Sequence, residues 1–471
     1  MAITLEQDVA FKEMPVGTDW IFTISSTNVT GNYKFKYIAE LCIDNYGVTN
    51  VIKLKFSPNS TDNGIINISD ILEQYVSSDY LGKNDATYKA LFKGAATSDT
   101  RKHPIQLTDK FSLSTDVCKR LTIKWGEEYS ANATDAPTEY LDELTSSNYL
   151  FWNGMAYNNE QSLVSGEYGI NLEDWNSNSF IIEYSTHKLL TDAPADKQLI
   201  GDNEYATLSL LNGYFPSISK GSTAVDMVID FRDIDGAFIS SATTSIAAGN
   251  GGYNGSNDTA LTDSARHLMF AGVGTANMLG AGVSIPSDWA SYDVYFRRLS
   301  GHKVSKVYKY FKKSADCKGY EKIRLTWLNK YGVWDYYTFN KKNLRSTDIK
   351  RTEFNRVKGD WNSSTFTKYG YERGVGVLGT IATETMSLNS DWFTNDEEAA
   401  WIEQLFVSPE VYILGDYDIN DTATGGAKYG NYLTPVIVTN KGFDRYTRAN
   451  DKVAQYELDI EYSINKRIQR G

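Results

Sequence analysis

The chain has 471 residues, too many for one ordinary core and enough for roughly two to four domains. Aromatic residues make up 13% of it, with 32 Tyr and 36 Gly but only 9 Pro, a composition that excludes a disordered chain and suits half-buried strands carrying large amphipathic side chains. The formal net charge of −12 excludes a protein that grips duplex nucleic acid through clustered Lys and Arg, while keeping the chain soluble and unattractive to DNA.

The opening stretch, MAITLEQDVAFKEM, has no basic region followed by an apolar run, and no segment approaches the length needed to span a membrane as a helix. Trp20, Phe22 and Ile24 then alternate with polar neighbours. Tyr33, Phe35, Tyr37, Ala39, Leu41 and Ile43 repeat the pattern against Lys34, Lys36 and Glu40, and Ile52, Leu54 and Phe56 against Lys53 and Lys55. This is the period of half-buried strands. Pro58-Asn59 breaks the run, Asp70 and Glu73 are placed to cap a short helix reaching Val76, and Leu121, Ile123 and Trp125 close the segment. Residues 1–126 are expected to form an N-terminal β-sandwich-like domain.

From 127 to 288 the pattern loosens into a loop-rich β domain. The polar stretch Ser130 to Thr138 separates short strands, Phe180 to Tyr184 is one of them, and Val225, Met227, Ile229 and Phe231 alternate strictly. Asp235-Gly236 before Ala237-Phe238-Ile239 predicts a two-residue hairpin. The Gly-rich run Ala247 to Asp258 is expected as a flexible loop, and the Gly/Ala-rich run Ala271 to Val283 as a mobile surface segment, the alternative being a docking loop for a neighbouring subunit.

Residues 289–471 are expected to form a C-terminal β domain with one helix near 394–407. Its first feature is a hairpin in which Ile323, Leu325 and Trp327 share a face, Asn329 to Gly332 supply the turn, and Trp334 to Phe339 return. Thr394 and Glu397 have capping-box spacing ahead of Ala399, Ile402, Leu405 and Phe406, and Pro409 stops the helix. Strands are predicted at Val411 to Leu414 and Val436 to Thr439. In the last strand, Tyr456, Leu458, Ile460 and Tyr462 alternate with Glu457, Asp459 and Glu461, so its outer face is acidic. The chain is thus read as all-β, with several β-sandwich-like domains and a few short helices.

Chemistry-bearing patterns are sparse. Cys42, Cys118 and Cys317 are too far apart for a disulfide framework or a zinc site. His103, His187, His267 and His302 have no metal-ligand spacing, and no phosphate loop, dinucleotide fingerprint or Gly-x-Ser-x-Gly elbow occurs. Asp416, Asp418 and Asn420 start like a calcium loop, but Asp421 stands where Gly is needed and Ala427 where Glu is needed. Trp152, Tyr157, Tyr168 and Trp175 in the middle domain are core aromatics that a glycan-binding reading would recruit. The Lys-rich run from Lys303 to Lys322 is interleaved with Tyr308, Tyr310 and Tyr320; it is read as solvated or subunit-facing, with Lys312 and Lys313 set to meet the acidic strand face, Glu457 and Glu461, of another copy. No enzyme, no metal and no cofactor is expected.

Four landmarks of the last third come in a fixed order. They are Arg-Leu-x-Trp-Leu-Asn-x-x-Gly-x-x-Asp-x-x-x-Phe from Arg324 to Phe339, the helix running into Leu405-Phe406-Val407-Ser408-Pro409, Thr434-Pro435-Val436-Ile437, and the terminal alternating strand. Together they resemble tail and baseplate-type virion proteins of phages infecting Bacteroidetes and marine bacteria. The N-terminal segment, with Tyr33-Lys-Phe35-Lys-Tyr37, Pro58-Asn59 and Asn67-Ile-Ser-Asp-Ile-Leu72, is similar to the start of the same proteins. The resemblance covers about two thirds of the chain and leaves out the middle, from Ser130 to Asp288. It implies a non-enzymatic structural part, assembled in the host cytoplasm and resident in the virion tail. Its partners would be further copies of itself in a symmetric ring and other tail or portal-proximal virion proteins. The alternative is a carbohydrate-binding adhesin touching the host surface through the middle domain. Trp334, with Lys312, Lys313, Glu457 and Glu461, makes up the expected assembly interface.

Overall fold

The computed structural model describes residues 3–9, 13–45, 48–78, 109–111, 118–146, 148–154, 189–196, 198–202, 204–211, 225–246, 268–280, 283–298, 301–313, 320–372, 374–414, 433–443, 454–463 and 466–470. The protein is all-β, and its strands form five sheets among the described residues. The chain divides into two compact units. The first holds the described residues up to 313 together with Leu328–Asp335; the second holds 320–327, 336–414 and 433–470.

In the first unit, β1 (Ile3–Gln7), β3 (Ile21–Ser26) and β6 (Gly64–Asn67) make one small antiparallel sheet. A larger sheet runs in the order β2 (Glu13–Pro15), β10 (Tyr149–Trp152), β8 (Cys118–Ser130), β4 (Tyr33–Asn45) and β5 (Val48–Phe56), with β9 (Thr138–Thr145) pairing β8. The two bury one core. Phe22 packs on Trp125 and Tyr149 at ring separations of 5.6 Å, and Trp20 stands edge-on to Tyr149 and Phe151. The alternation read from the sequence is therefore the inward face of this sandwich. Its expected end at 126 falls inside β8, and β10 completes the same sheet, so the sandwich reaches past that boundary.

The helix α1 (Ser69–Glu73) is shorter than expected and carries no side-chain cap. The hydroxyl of Ser69 is occupied instead: it accepts from Trp20 N at 3.0 Å and lies 2.9 Å from Thr18 O, tying the helix start to β3.

Also in the first unit, β7 (Asp109–Phe111), β15 (Leu268–Gly272) and β12 (Thr207–Leu211) form a three-stranded sheet. A five-stranded sheet runs β11 (Gln198–Ile200), β17 (Tyr308–Lys312), β16 (Ser291–Arg298), β13 (Val225–Arg232) and β14 (Phe238–Ile246). The β13–β14 connection is longer than the Asp-Gly signal predicts. Asp233 N bonds Ala237 O, the Asp233 carboxylate accepts from Asp235 N and Ala237 N, and Gly236 takes φ +80°. Asp233 thus builds a wider turn by holding its own backbone. The stretch expected as a mobile Ala/Gly segment from Ala271 is structured where described: it contributes β15 and α2 (Thr275–Gly280), with Ala271, Val273 and Met278 buried. Small residues there allow close backbone approach, since Gly274 lies against Ala206 N and Glu204 O. Phe180 to Tyr184 and Ala247 to Asp258 lie outside the described residues.

The second unit is one sheet in the order β19 (Trp334–Phe339), β18 (Ile323–Leu328), β22 (Val411–Leu414), β23 (Leu433–Val438), β24 (Glu457–Tyr462), β21 (Val375–Asn389) and β20 (Asn343–Asn355), with β25 (Lys466–Arg470) also pairing β21. The helix α3 (Asp396–Val407) packs on it, with Trp401 against Trp327 at 5.4 Å. Asn395, not Thr394, is its N-cap, its side chain accepting from Glu397 N. Among the described residues no helix is long and apolar enough to cross a membrane.

Candidate functional site

The hairpin β18–β19 is buried on both faces, unlike an ordinary surface hairpin. Asn329 organises its turn. The side-chain oxygen accepts from Tyr331 N at 2.9 Å and Val333 N at 3.3 Å, and its amide donates to Leu190 O at 3.0 Å. Gly332 takes φ +74° against the Asn153 carbonyl, where any Cβ would overlap. Around the tip, Thr191 donates to Asp335 at 2.7 Å, Tyr331 donates to Asp192 at 2.5 Å, and Lys330 pairs with the same Asp192 carboxylate at 2.9 Å. In the second unit Arg324 donates to Thr338 at 2.8 Å and faces the Tyr336 ring. Tyr337, whose phenol burial pushes up, donates to the Asp391 carboxylate and accepts from Asp391 N. The polar groups of Arg324, Asn329, Tyr331, Asp335 and Tyr337 are thus engaged in holding the fold, whereas Thr326 Oγ1 and Trp327 Nε1 are buried without a hydrogen-bond partner among the described residues.

Trp334 is 1% exposed, so it offers no side-chain surface to a neighbouring copy. Lys312 is 3.1 Å from Asp202 and lies over the Trp289 ring, and Lys313 is buried with its N bonded to Ile200 O. Tyr308 and Tyr310 face inward from β17, with Tyr310 stacked on Tyr292, so neither ring is open to a nucleobase. The acidic strand face is outward as the pattern requires: Glu457 and Asp459 are exposed and Glu461 half-buried, with Ile437 of β23 open beside them. Of the other chemistry-bearing residues, Cys118 is buried with its thiol pushed up by desolvation, Cys42 is half-buried, and His302 is exposed. Trp152 is fully buried, which removes it from glycan stacking. Cys317, His103, His187, His267, Tyr157, Tyr168, Trp175 and the Asp416 to Asp421 stretch lie outside the described residues. Among the described residues no group of His, Cys, Asp and Glu is placed to hold a metal ion.

What sequence reasoning missed is the pair β20–β21. These strands pair from Asn343↔Leu388 to Asn355↔Val375, about 44 Å at the usual rise for 13 residues. β20 is exposed along its length after Asn343, and β25 flanks β21 only at Gly379–Ala382. Beyond that point the pair is a two-stranded arm. Of the 27 large apolar side chains exposed among the described residues, twelve fall between Leu344 and Ile381. At the tip, Trp361 packs on Phe366 at 4.9 Å and Tyr369 stacks on Tyr371 at 5.3 Å, with Trp361 68% and Tyr371 80% exposed. The tip is held by Arg356 N to Gly374 O, Asp360 N to Thr367 O and Gly359 N to the Glu372 carboxylate. Residues 343–375 carry seven Lys and Arg against four Asp and Glu, a net +3 on a chain of −12. Sustained exposed apolar surface of this kind marks interaction surfaces.

No protein-family model matches the chain, and no curated protein matches it. Among solved structures it is similar to native Escherichia coli alpha-2-macroglobulin, at 6% identity over 90% of this chain and 22% of that one, with a TM-score of 0.17. It is also similar to the full extracellular region of plexin A4, at 9% identity over 99% of this chain and 36% of that one, with a TM-score of 0.16. The chain spans well under half of either structure, and overlaps this shallow assign neither fold nor function.

Proposed function

We propose that the protein is a non-enzymatic structural component of a phage tail, a ring, hub or baseplate-type part resident in the virion. It works by self-assembly and by docking to neighbouring tail or portal-proximal proteins. The observation that carries this reading is the β20–β21 arm, whose outer faces leave aromatic and aliphatic side chains in water although the rest of the sheet packs its apolar face under α3. Apolar surface held out on a paired strand arm is costly to a solitary protein and is removed by a neighbour. The residues behind the phage-tail resemblance fit a structural role, since Arg324, Trp327, Asn329, Gly332 and Asp335 all fix strand or turn geometry.

Sedimentation velocity and electron imaging of the purified chain test this. Discrete symmetric particles are expected, and a chain that stays monomeric at every concentration overturns it. The second reading, a carbohydrate-binding adhesin, draws on the exposed Trp361 and Tyr371 rings, flat surfaces suited to sugar stacking. Binding of host surface glycan by a monomer, lost in Trp361→Ala, would favour it.

A further inference from the structure

We infer that the β20–β21 arm docks on the acidic outer face of β24 in a second copy of this chain; this rests on the assembly reading above. Exposed basic side chains line β20 and the arm that extends it: Lys350 and Arg351 sit opposite Ile381 and Thr380, where β25 still flanks β21, and Arg356, Lys358 and Lys368 follow toward the tip. Among the described residues none of these five pairs with a carboxylate, whereas Arg345, at the arm's root, is 2.5 Å from Glu321. The β24 face has the opposite character. Glu457, Asp459 and Glu461 recur every second residue, so their carboxylates leave one face of the sheet in a row with a repeat of about 7 Å. Glu457 accepts the Ser387 hydroxyl, and no cation pairs with Asp459 or Glu461 among the described residues.

Register places an apolar spot inside the row: Ile437 of β23 lies directly across from Glu461 and is 54% exposed. A basic arm studded with aromatic and aliphatic side chains therefore meets its complement in a carboxylate row with an exposed isoleucine at its side. The arm cannot reach its own copy's row, because β24 already pairs β21 within the same sheet, from Thr385↔Glu461 to Asn389↔Glu457, at the arm's root. The contact is between two different patches of identical chains, the heterologous kind that closes into a ring when its rotation allows and extends into a filament when it does not.

Charge reversal on the full chain tests the inference. Self-association is measured by sedimentation equilibrium for the wild type, for Lys350→Glu with Arg351→Glu, for Asp459→Lys with Glu461→Lys, and for an equimolar mixture of the two variants. All four positions are on the outside, and circular dichroism with a melt checks that each variant folds. Each reversal alone is expected to weaken association by about tenfold or more, and the mixture to recover association that neither variant shows, because one copy's acidic arm then meets another's basic face. Raising the salt should weaken the wild-type contact in the same direction. Wild-type association that is unchanged by the arm reversal, or a mixture no tighter than its components, overturns the arm contact and leaves self-assembly standing. A wild type that never associates overturns both.

Discussion

Gly332 lies against the carbonyl oxygen of Asn153, with its φ at +74°, so that the hairpin turn and the end of the first unit's β10 region meet with no room for a side chain. Gly332→Ala faces two penalties at once, a left-handed backbone and an overlap with backbone atoms that cannot move aside as a flexible side chain does. A loss of about 3 kcal/mol or more is expected, above the usual range for a surface substitution. Urea denaturation checks it, with Gly370→Ala, in open space on the arm, as the matched control that should change little.

Asn329 makes three side-chain bonds inside a buried turn, two as acceptor and one as donor. Asn329→Ala strands the Tyr331 and Val333 amides and the Leu190 carbonyl together, and should cost about 2 to 4 kcal/mol. Asn329→Asp keeps both acceptors and loses only the donor to Leu190. Its carboxylate oxygen then faces the Leu190 carbonyl in a buried turn, so a loss at least as large as alanine's is expected for it in the same denaturation series.

The outer face of the first unit's large sheet carries a pH-dependent contribution. Glu139 is paired with Lys55 and Lys53 at 2.6 Å and 2.9 Å, and these cations hold its carboxyl down to about 2. A depressed carboxyl pKa means the unfolded chain takes up the proton first on acidification. The stabilising effect is therefore fully present above the ordinary carboxylate range and is lost as pH falls from there toward about 2. Because Glu139 is solvent-accessible, the effect should shrink in high salt. Urea midpoints measured at several pH values should fall less steeply between neutral pH and pH about 3 in Glu139→Gln than in the wild type.

How much was legible in the sequence follows from where water is excluded. Trp20, Phe22, Ile24 and the Tyr37 to Ile43 alternation predicted the first sandwich because one face of each strand is buried and the other wet, which writes the fold as a period of two. Arg324 to Phe339 was legible as a hairpin but not as a core element, because burial on both faces erases the alternation that distinguishes inside from outside. The β20–β21 arm failed for the opposite reason. With both faces in solvent, Asn343 to Asn355 needs no apolar period at all, and its charged and apolar residues follow one another without order. The candidate surface is half visible: Glu457, Asp459 and Glu461 alternate plainly, whereas Lys312 ends a strand whose tyrosines are core and is already paired with Asp202, and Lys313, just past that strand, is buried. Strand periodicity places a side chain on a face, but only the fold tells which partner waits there.

Trp401 and Trp361 are the same residue type with opposite expected phenotypes. Trp401 is buried on α3 between Trp327 and Tyr337, at ring separations of 5.4 Å and 6.1 Å, so Trp401→Ala opens a cavity and should cost about 3 to 5 kcal/mol in the unfolding free energy. Trp361 touches Phe366, donates its Nε1 proton to Lys358 O at 2.8 Å and otherwise faces water, so Trp361→Ala should change the stability of the isolated chain by no more than about 1 kcal/mol. If the arm is an assembly element, the second substitution is felt elsewhere: removing an aromatic anchor from an interface typically weakens binding by about 1 to 2 kcal/mol, roughly five- to thirtyfold in the dissociation constant. Paired melts and sedimentation runs on both variants separate the two roles. A Trp361→Ala chain that melts like the wild type and also associates like it would show that the tip ring is decoration, leaving the charges of the arm as the element to be tested.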